Sequence, residues 1–308
     1  MTTIREIAKL SGYSVTTVSR VLNNHPYVAA EKRKKIQRII DELNYKPNAL
    51  ARHLSLGKTN TIGVLIPYND QPYFDKVLSG IIQQAFQQKL QVLLLPTNYD
   101  QRIECAYLEE LATGAFDDMI VLSKANELAV FAPYKQQLVF CENIEDPSFF
   151  SIFIDRKAIY LDVFQKLQQA GITEVALTVN RDQTASANTR KMLEVYTQVF
   201  GSIAPNRFFK GCRTLADGQK VGQQLIKDHK LQAVLANSDE IAAGIQQITD
   251  DRFILIGQEN TFLSEVLHFS TIHHPLRQLG QGAVSLFKEK QPQNIRLVSS
   301  FIQRASHC

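Results

Sequence analysis

Polar side chains that can form hydrogen bonds or stack follow several short apolar runs in residues 61–308. They occur in the segments YNDQPYF, TNYD, NRD, NSDE and GQEN, which combine amides, carboxylates and tyrosines. Paired hydrogen bonds and an aromatic face suit a hydroxyl-rich small molecule. The sequence has no G-x-G-x-x-G, G-x-x-x-x-G-K-[ST] or G-x-S-x-G motif, so phosphate-loop and serine-hydrolase chemistry lack their apparatus. These segments favour binding over catalysis.

A different polar surface occurs near the start of the chain, in the segment SVTTVSRVLN. On a helix, Val18, Val21 and Leu22 share one face because each residue turns about 100°. The opposite face gathers polar side chains, namely Thr16, Ser19, Arg20 and Asn23. Ser14 is placed to cap this helix. Upstream, the helical pattern IREIAKLSGY breaks at Gly12, so the two segments predict a helix-turn-helix.

Charge is distributed unevenly along the chain. The first 60 residues hold 11 Lys or Arg and 4 Asp or Glu, a net charge of +7, whereas the other 248 hold 23 and 26, a net charge of −3. A basic head suits nucleic-acid binding because neutralised phosphates release counterions. The alternative is the solvated basic face of a small helical domain. An exposed arginine on a capped second helix favours the first interpretation, since arginine can donate two bonds to a guanine edge in the major groove.

A third helix is predicted in AAEKRKKIQRIIDELNY, where the apolar stripe comprises Ile36, Ile39, Ile40 and Leu43. The basic run at 32–35 opposes the helix dipole, which suggests an external anion such as phosphate. In the following segment, Pro47 can begin a helix, and Leu50 and Leu54 share a face. About two turns of helix are marginal alone in water. The segment is therefore either an ordinary linker or an element that folds only with support.

The segments TIREIAKLSGYSVTTVSRVLNN, YVAAEKRKKIQRIIDELNYKPNALARHL and KTNTIGVLIP closely resemble the lactose-repressor (LacI/GalR) family of bacterial transcription regulators. The resemblance is nearly continuous over residues 1–67. It implies a helix-turn-helix DNA-binding headpiece at 1–46, a hinge helix and linker at 47–60, and an effector-binding and dimerisation domain at 61–308. It also implies a homodimer on a near-palindromic operator, because the two heads follow the two-fold symmetry of the protein.

The resemblance assigns the DNA-contacting residues. The major-groove set comprises Val15, Thr16 and Arg20 as base readers, with Thr17, Ser19 and Asn23 beside them. In the family, the linker becomes a hinge helix on DNA and inserts a leucine into the minor groove at the operator centre. The corresponding set here comprises Leu54 as the wedge, with Ala51 and Asn48. An apolar wedge unstacks a base step and allows a bend that brings further contacts.

The remaining 248 residues alternate strand-like and helix-like segments. TIGVLIP, QVLLLPTN, DDMIVLS and QLVFCE form a first set of strands, with helices in LSGIIQQAFQQK and RIECAYLEELATG. SIFID, EVALTVN, AVLANSD and FILIGQE form a second set. This pattern predicts two α/β lobes, each with a parallel, doubly wound sheet. Ligands of such sheets bind beyond the carboxyl ends of the strands, so two facing lobes create a cleft.

This part resembles the periplasmic-binding-protein-like effector domain of the same family. Carried over from the family pattern, the effector-binding residues are Asn69, Tyr73 and Phe74 in the first lobe and Asp155, Arg190, Ser238, Asp239 and Glu259 in or near the wall of the second. ANSDEIAAG and LIGQEN carry the plainest correspondence, which supports Ser238 and Glu259. Asp239 precedes a helix, so helix capping is its alternative role. Arg190 lies in SANTRKMLEVY, which departs from the family spacing, so a surface arginine is its alternative.

Two departures from the family pattern bear on the effector. The family often has GYD where this chain has GQE, and a glutamine where this chain reads HHP after STI. The longer carboxylate of Glu259 reaches farther into the cleft, which predicts an effector smaller than a typical sugar or differently oriented. His273 and His274 are adjacent, so on a strand they point to opposite faces and do not form a metal site. No metal and no cofactor are predicted.

Four scattered cysteines, Cys105, Cys141, Cys212 and Cys308, contain no C-x-x-C pair, which indicates free thiols in a reducing cytoplasm. No apolar run has the length of a membrane span, and the start is unlike a secretory leader, so we expect a soluble cytoplasmic protein. The C-terminal segment SSFIQRASHC carries no leucine heptads, which favours a dimer over a tetramer.

Three classes of function remain open from the sequence. The first is an effector-controlled transcriptional regulator, most simply a repressor of carbohydrate-utilisation genes that responds to a sugar or phosphosugar. Within this class, the controlling signal could instead be a non-sugar metabolite or a partner phosphoprotein. The second class, a small-molecule-binding protein for transport, leaves the basic head without a role. The third, an enzyme on sugars or nucleotides, lacks a visible catalytic motif.

Overall fold

The computed structural model describes residues 3–46, 57–68, 71–184 and 186–304. By contact density the chain divides into two compact units, Met1–Thr59 and Asn60–Cys308. The predicted hinge helix, with Asn48, Ala51 and Leu54, lies outside the described residues, as does Asn69. These assignments therefore remain predictions.

Three helices form the described part of the first unit: α1 (Ile4–Ser11), α2 (Val15–Leu22) and α3 (Ala30–Glu42). The Ser14 hydroxyl accepts a hydrogen bond from the Thr17 amide, so Ser14 caps α2 as predicted. Gly12 makes the turn between α1 and α2 with a left-handed φ of 75°, a conformation that glycine adopts without steric cost. The core between the helices comprises Ile7, Ala8, Val18, Val21, Ile36 and Ile40.

The first lobe of the second unit contains a six-stranded parallel sheet in the order β11-β5-β4-β3-β1-β2. Its strands are β1 (Thr61–Ile66), β2 (Gln91–Pro96), β3 (Asp118–Val121), β4 (Leu138–Phe140), β5 (Phe150–Asp155) and β11 (Asn294–Val298). Its helices are α4 (Pro72–Gln87), α5 (Gln101–Ala112), α6 (Leu128–Phe131) and α12 (Leu276–Leu286), and a 3₁₀ turn spans Ala132–Gln137.

The second lobe contains a sheet in the order β12-β10-β9-β8-β6-β7, in which only β12 is antiparallel. Its strands are β6 (Val175–Thr178), β7 (Phe208–Phe209), β8 (Ala233–Leu235), β9 (Ile254–Gln258), β10 (Ser270–His273) and β12 (Ser300–Ile302). Its α-helices are α7 (Lys157–Gln169), α8 (Ala187–Phe200), α9 (Leu215–Leu225), α10 (Asp239–Thr249) and α11 (Phe262–Val266). Short 3₁₀ turns span Pro205–Arg207 and Asp250–Arg252.

One strand was assigned to the wrong lobe. SIFID was predicted in the second set, but it forms β5, which pairs with β4 and β11 in the first sheet. The chain crosses between lobes three times: after β5, after β10 and between β11 and β12. In the sequence, the last strand of one lobe cannot be told from the first strand of the next, because both are short apolar runs.

Helix α4 also differs from the prediction, since it begins at Pro72, six residues before the predicted segment.

Close helix pairs cover one face of each sheet, and glycines permit the approach. In the first lobe, a Cβ on Gly80 of α4 would collide with the Arg277 carbonyl of α12, and a Cβ on Gly280 would collide with the Val77 carbonyl. In the second lobe, Gly218 of α9 lies in the same way against the Ile241 carbonyl of α10. These helix pairs are therefore packed backbone to backbone.

Candidate functional site

A cavity of about 640 Å³ lies between the two lobes. Residues just beyond the carboxyl ends of strands from both sheets contribute to its lining, including Ser123 after β3, Glu142 after β4, Asn180 after β6, Asn237 after β8 and Glu259 after β9. This is the expected position for a ligand of parallel α/β sheets. The predicted cleft is therefore present as a defined cavity.

Five of the described residues that were assigned to the effector line this cavity: Tyr73, Phe74, Arg190, Ser238 and Glu259. Tyr73 and Phe74 stand at the start of α4, where their rings meet edge to face at 5.1 Å. Arg190 is exposed on α8 and donates a long 3.4 Å bond to the Gln183 carbonyl. Its role in effector binding stays a prediction.

Asp155 does not line the cavity and does not belong to the second lobe. It ends β5 of the first sheet, where its carboxylate accepts a hydrogen bond from the Lys157 amide at 3.0 Å and pairs with Arg296 of β11 at 2.7 Å. The strand misassignment explains this correction, since Asp155 is the last residue of SIFID. Arg156, the next residue, faces the cavity instead.

Asp239 is fully buried behind the cavity wall rather than in it. Its carboxylate accepts hydrogen bonds from the amide and hydroxyl of Thr261 and from the hydroxyl of Thr271. The predicted capping role is wrong for Asp239, because Ser238 caps α10 by accepting a bond from the Ile241 amide at 3.2 Å. Asp239 therefore links the segment after β9, through Thr261, to strand β10, through Thr271. Ser238 both caps α10 and lines the cavity.

Glu259 has an unusual environment at the end of β9. It is 5% exposed, its backbone has a left-handed φ of 96°, and its Oε2 atom has no hydrogen-bond partner among the described residues. Burial, together with the nearby carboxylate of Asp239, raises the pKa of Glu259 to about 8, although Lys76 and Arg156 act in the opposite direction. A buried oxygen that is left without a partner costs free energy, so this carboxyl is poised for a ligand donor.

Arg156 belongs to a buried network that runs along the lobe crossings. Its guanidinium lies 5.3 Å from the centre of the Tyr73 ring and is hydrogen-bonded to Tyr160. The Tyr160 hydroxyl contacts Gln258 Oε1 at 3.2 Å, and His274 Nε2 contacts the same oxygen at 3.1 Å. This network links the crossing after β5 to the crossing after β10.

Ser299 extends the network to the third crossing, since its hydroxyl lies 2.7 Å from His274 Nδ1. Gln258 Nε2 donates to the Ala236 carbonyl, so Gln258 Oε1 is the acceptor for His274. His274 therefore carries its proton on Nε2 and accepts from the Ser299 hydroxyl at Nδ1. Burial and the neighbouring cations Arg156, His273 and Lys76 hold the pKa of His274 well below its usual value.

None of the predicted effector-binding residues comes from the segments that follow β2, β3 and β4. There, Tyr99 OH lies 3.2 Å from Ser123 Oγ, which in turn donates to Glu142 Oε1 at 2.8 Å. Burial raises the pKa of Glu142. The strand-end rule pointed to these segments, because TNYD and QLVFCE were recognised.

In the headpiece, the polar face of α2 is turned to solvent. Val15, Thr16, Arg20 and Asn23 are exposed, whereas Thr17 and Ser19 are half-buried. At the start of α3, Lys32 and Lys35 lie 5.7 and 5.5 Å from the centre of the Tyr13 ring. Arg33 donates to the His25 carbonyl at 2.6 Å and so supports the loop between α2 and α3. Arg33 therefore has a structural partner, and Lys34 remains exposed.

Comparison with known families agrees with both units. Residues 3–48 match the family described as bacterial regulatory proteins, lacI family. Residues 59–290 match the family described as periplasmic binding proteins and sugar binding domain of LacI family. The chain belongs to the lacI family of bacterial regulatory proteins. It is a DNA-binding transcriptional regulator rather than an enzyme, and the predicted family and fold class are confirmed.

Individual relatives and solved structures match 80–99% of this chain. Catabolite control protein B of Bacillus subtilis (strain 168) is 39% identical over 311 residues, 99% of this chain and 100% of that protein. The lac repressor dimer bound to operator and the anti-inducer ONPF matches with a TM-score of 0.84 at 21% identity, over 98% of both chains. A LacI family regulator from Lactobacillus casei with bound sucrose matches with a TM-score of 0.72 at 20% identity, over 80% of this chain and 99% of that one.

Among the described residues, no helix has the length and apolar character needed to cross a membrane. The same part of the chain contains no cluster of three or more His, Cys, Asp or Glu side chains suited to a metal ion. Cys105, Cys141 and Cys212 are free thiols, and Cys308 lies outside the described residues.

Proposed function

We propose that this regulator is a repressor of carbohydrate-utilisation genes that binds a near-palindromic operator as a homodimer in the cytoplasm. A sugar or phosphosugar in the inter-lobe cavity controls its operator affinity. The observation that carries this proposal is the cavity itself, which is lined by both lobes and offers aromatic faces beside hydrogen-bonding groups. A ligand that contacts both lobes couples its own binding to their relative position.

The size and chemistry of the cavity support a sugar-sized effector. A volume of about 640 Å³ lies within the usual range for small-molecule sites, roughly 300–1,000 Å³. Tyr73 and Phe74 offer aromatic surface, and Asn180 offers a side-chain amide. The unpartnered oxygen of Glu259 adds a site for a hydroxyl donor. A relative with bound sucrose uses the same fold, which agrees with this ligand class.

The headpiece supports sequence-specific operator binding. The exposed side chains on α2 include Val15, Thr16 and Arg20, the proposed base readers. Thr17, Ser19 and Asn23 are proposed to contact bases or phosphates beside them. The net charge of +7 over the first 60 residues supplies the affinity for the DNA backbone. Leu54, with Ala51 and Asn48, is proposed to enter the minor groove at the operator centre.

The first lobe offers a surface for the proposed homodimer. Strand β2 is an edge strand of its sheet, yet it exposes Leu93 and Leu94. Helix α4 exposes Ile82 and Phe86, and the Phe86 side chain is 83% exposed. Exposed apolar edges promote association unless they are covered, so a second copy of the chain is the natural cover. Side chains alternate along β2, and Val92 packs against the core under α4, so Leu94 shares the face of α4. We call Ile82, Phe86 and Leu94 the dimer patch.

The effector proposal is tested by thermal denaturation of the full chain against neutral sugars, phosphosugars, nucleobases and amino acids. A ligand at about 100 times its dissociation constant adds roughly 2.7 kcal/mol to stability, which raises the melting temperature measurably. A hit among sugars or phosphosugars supports the proposal, and the same compound is then tested for release from a selected operator. Glu259→Gln serves as the matched variant, because an unchanged affinity would remove Glu259 from the site.

A folded protein that binds its selected operator but none of these compounds would overturn the sugar proposal. The controlling signal would then be a metabolite outside the panel or a partner phosphoprotein. Operator selection tests the other half of the proposal separately: recovery of a near-palindrome supports the dimeric repressor, and recovery of no consensus contradicts it.

A further inference from the structure

Two arginines of the second lobe stack on two tyrosines of the first. The guanidinium carbon of Arg181 lies 3.9 Å from the centre of the Tyr99 ring. That of Arg213 lies 4.0 Å from the centre of the Tyr68 ring. The two rings themselves meet edge to face, with centres 5.4 Å apart and planes at 79°. The four side chains therefore form one continuous contact across the gap between the lobes.

The strand order explains how this contact arises. Tyr68 follows β1 and Tyr99 follows β2, and these strands are neighbours in the first sheet. Arg181 follows β6 and the chain reaches Arg213 after β7, which are neighbours in the second sheet. Each lobe thus presents two adjacent strand ends, and the arginines of one reach the rings of the other.

These two contacts are much closer than the other cation–ring pairs. Elsewhere among the described residues, lysine or arginine lies 5.2–5.7 Å from a ring centre. At 3.9–4.0 Å the guanidinium plane can be in van der Waals contact with the ring, where dispersion adds to the attraction of the ring quadrupole. The Tyr99 ring is further fixed by the contact of its hydroxyl with Ser123. The close contacts are therefore a specific feature of the lobe gap.

We propose that Tyr68, Tyr99, Arg181 and Arg213 form an inter-lobe latch that holds the two lobes together in the absence of effector. Each contact shifts the balance between latched and separated lobes by about fivefold, and the pair by about 25-fold. The latch increases the fraction of molecules whose lobes are already together. Because the effector binds that arrangement, a larger fraction gives a higher apparent affinity. This effect on binding rests on the proposed effector function, and three residues of the latch, Tyr99, Arg181 and Arg213, line the same cavity.

The latch is tested on the full chain by distance measurement between two spin labels, without any effector. Glu109→Cys on α5 and Lys220→Cys on α9 place one label on an exposed position of each lobe. Cys105→Ser and Cys308→Ser remove competing thiols, while Cys141 and Cys212 are buried. The labelled chain is mixed and exchanged with excess unlabelled chain, so that most labelled dimers carry a single labelled protomer.

The decisive variant is Tyr68→Leu combined with Tyr99→Leu, which removes both rings. We expect its distance distribution to shift toward separated lobes, with the ratio of the two populations changed by about 25-fold. The matched control, Tyr68→Phe with Tyr99→Phe, keeps both rings and should retain the parent distribution. Arg181→Met with Arg213→Met removes the charges from the other lobe and should reproduce the leucine result.

Parent-like distances in both the leucine and the methionine variants would overturn the latch. A shift in the phenylalanine control as large as in the leucine variant would also overturn it, because the tyrosine hydroxyls rather than the ring faces would then hold the lobes. Since no ligand enters the measurement, failure of the latch is distinguishable from failure of the proposed sugar effector.

Discussion

Lys76 Nζ of the first lobe donates a hydrogen bond to the main-chain carbonyl of Glu259 in the second lobe at 2.6 Å. The same ammonium reaches the Asn260 carbonyl at 3.0 Å. Burial lowers the pKa of Lys76, although the carboxylates of Glu259 and Asp239 oppose that shift. One lysine on α4 thus holds the left-handed turn after β9 and places a positive charge near the Glu259 carboxyl.

The protonation of Glu259 predicts a pH-dependent stability. Because burial raises the pKa of Glu259 to about 8, the folded protein keeps a proton that the unfolded chain releases above the ordinary carboxyl range. The free energy of unfolding should therefore fall as the pH rises toward 8, by up to about 1.4 kcal/mol per pH unit. Glu259→Gln cannot ionise and should lack this fall. Urea denaturation of parent and variant at about pH 5, 6.5 and 8 measures the difference.

An exposed carboxylate provides the control for this comparison. Glu109→Gln on α5 removes a negative charge at the surface, so its stability should depend on pH in the same way as that of the parent. If Glu259→Gln and the parent lose stability in parallel between pH 6.5 and 8, the protonated carboxyl is not the cause.

His274 predicts the opposite pH dependence at the lobe crossings. Its pKa is held well below the usual value, so on acidification His274 is protonated in the unfolded chain while it stays neutral in the folded protein. Stability should therefore decrease as the pH falls below about 6.5. His274→Leu leaves Ser299 and Gln258 without this partner and should cost about 1–3 kcal/mol at neutral pH. In the variant, the free energy of unfolding should also decrease less steeply as the pH falls, because the contribution of His274 is absent. Urea denaturation measures this slope.

The neighbouring histidine is a matched control for His274. His273 is exposed at the end of β10, so His273→Leu should change stability by less than about 0.5 kcal/mol. Equal losses in the two variants would mean that the network between the crossings contributes nothing specific.

Much of the fold follows from local pattern. The Ser14 cap, the Gly12 turn and the apolar spacing of Val18 and Val21 specify the headpiece at short range. The strand runs of the second unit were likewise visible, because buried parallel strands are nearly continuous apolar segments. What the sequence could not provide was the assignment of strands to lobes. Nothing within SIFID marks it as the fifth strand of the first sheet, since its pairing with β4 and β11 is non-local.

The candidate site was predictable at strand ends but not in its internal partnerships. Glu259 was predicted from GQEN, yet its raised pKa arises from burial and from Asp239, with Lys76 and Arg156 opposing the shift. Its Oε2 atom also has no hydrogen-bond partner among the described residues. Asp239 shows the reverse case, because a conspicuous polar residue turned out to be satisfied by two threonines. Burial and pairing are three-dimensional properties that residue type alone does not fix.

Base readout by α2 predicts a specific change in DNA preference. Arg20 is exposed on the polar face, where its guanidinium can bond a guanine edge. Arg20→Ala should relax the preferred base at one position of each half-site and reduce specific affinity by about 1–3 kcal/mol. Selection from a random operator library measures the change. Lys34→Ala on α3 is the control, since loss of a phosphate contact should weaken binding evenly and reduce the salt slope by about one. An unchanged consensus for Arg20→Ala would remove this residue from the reading surface.

The dimer patch predicts that one charged substitution separates the protomers. Phe86 is 83% exposed on α4 beside the edge strand β2, so Phe86→Glu places a carboxylate where the second copy is expected to pack. Sedimentation should then show a monomer at concentrations at which the parent is a dimer. Val298→Glu is the matched control, because Val298 is 69% exposed on β11, the opposite edge of the same sheet. The monomeric variant should also lose affinity for a palindromic operator relative to a half-site, since one head alone cannot engage both halves. A dimeric Phe86→Glu chain, or a monomeric Val298→Glu chain, would place the interface elsewhere.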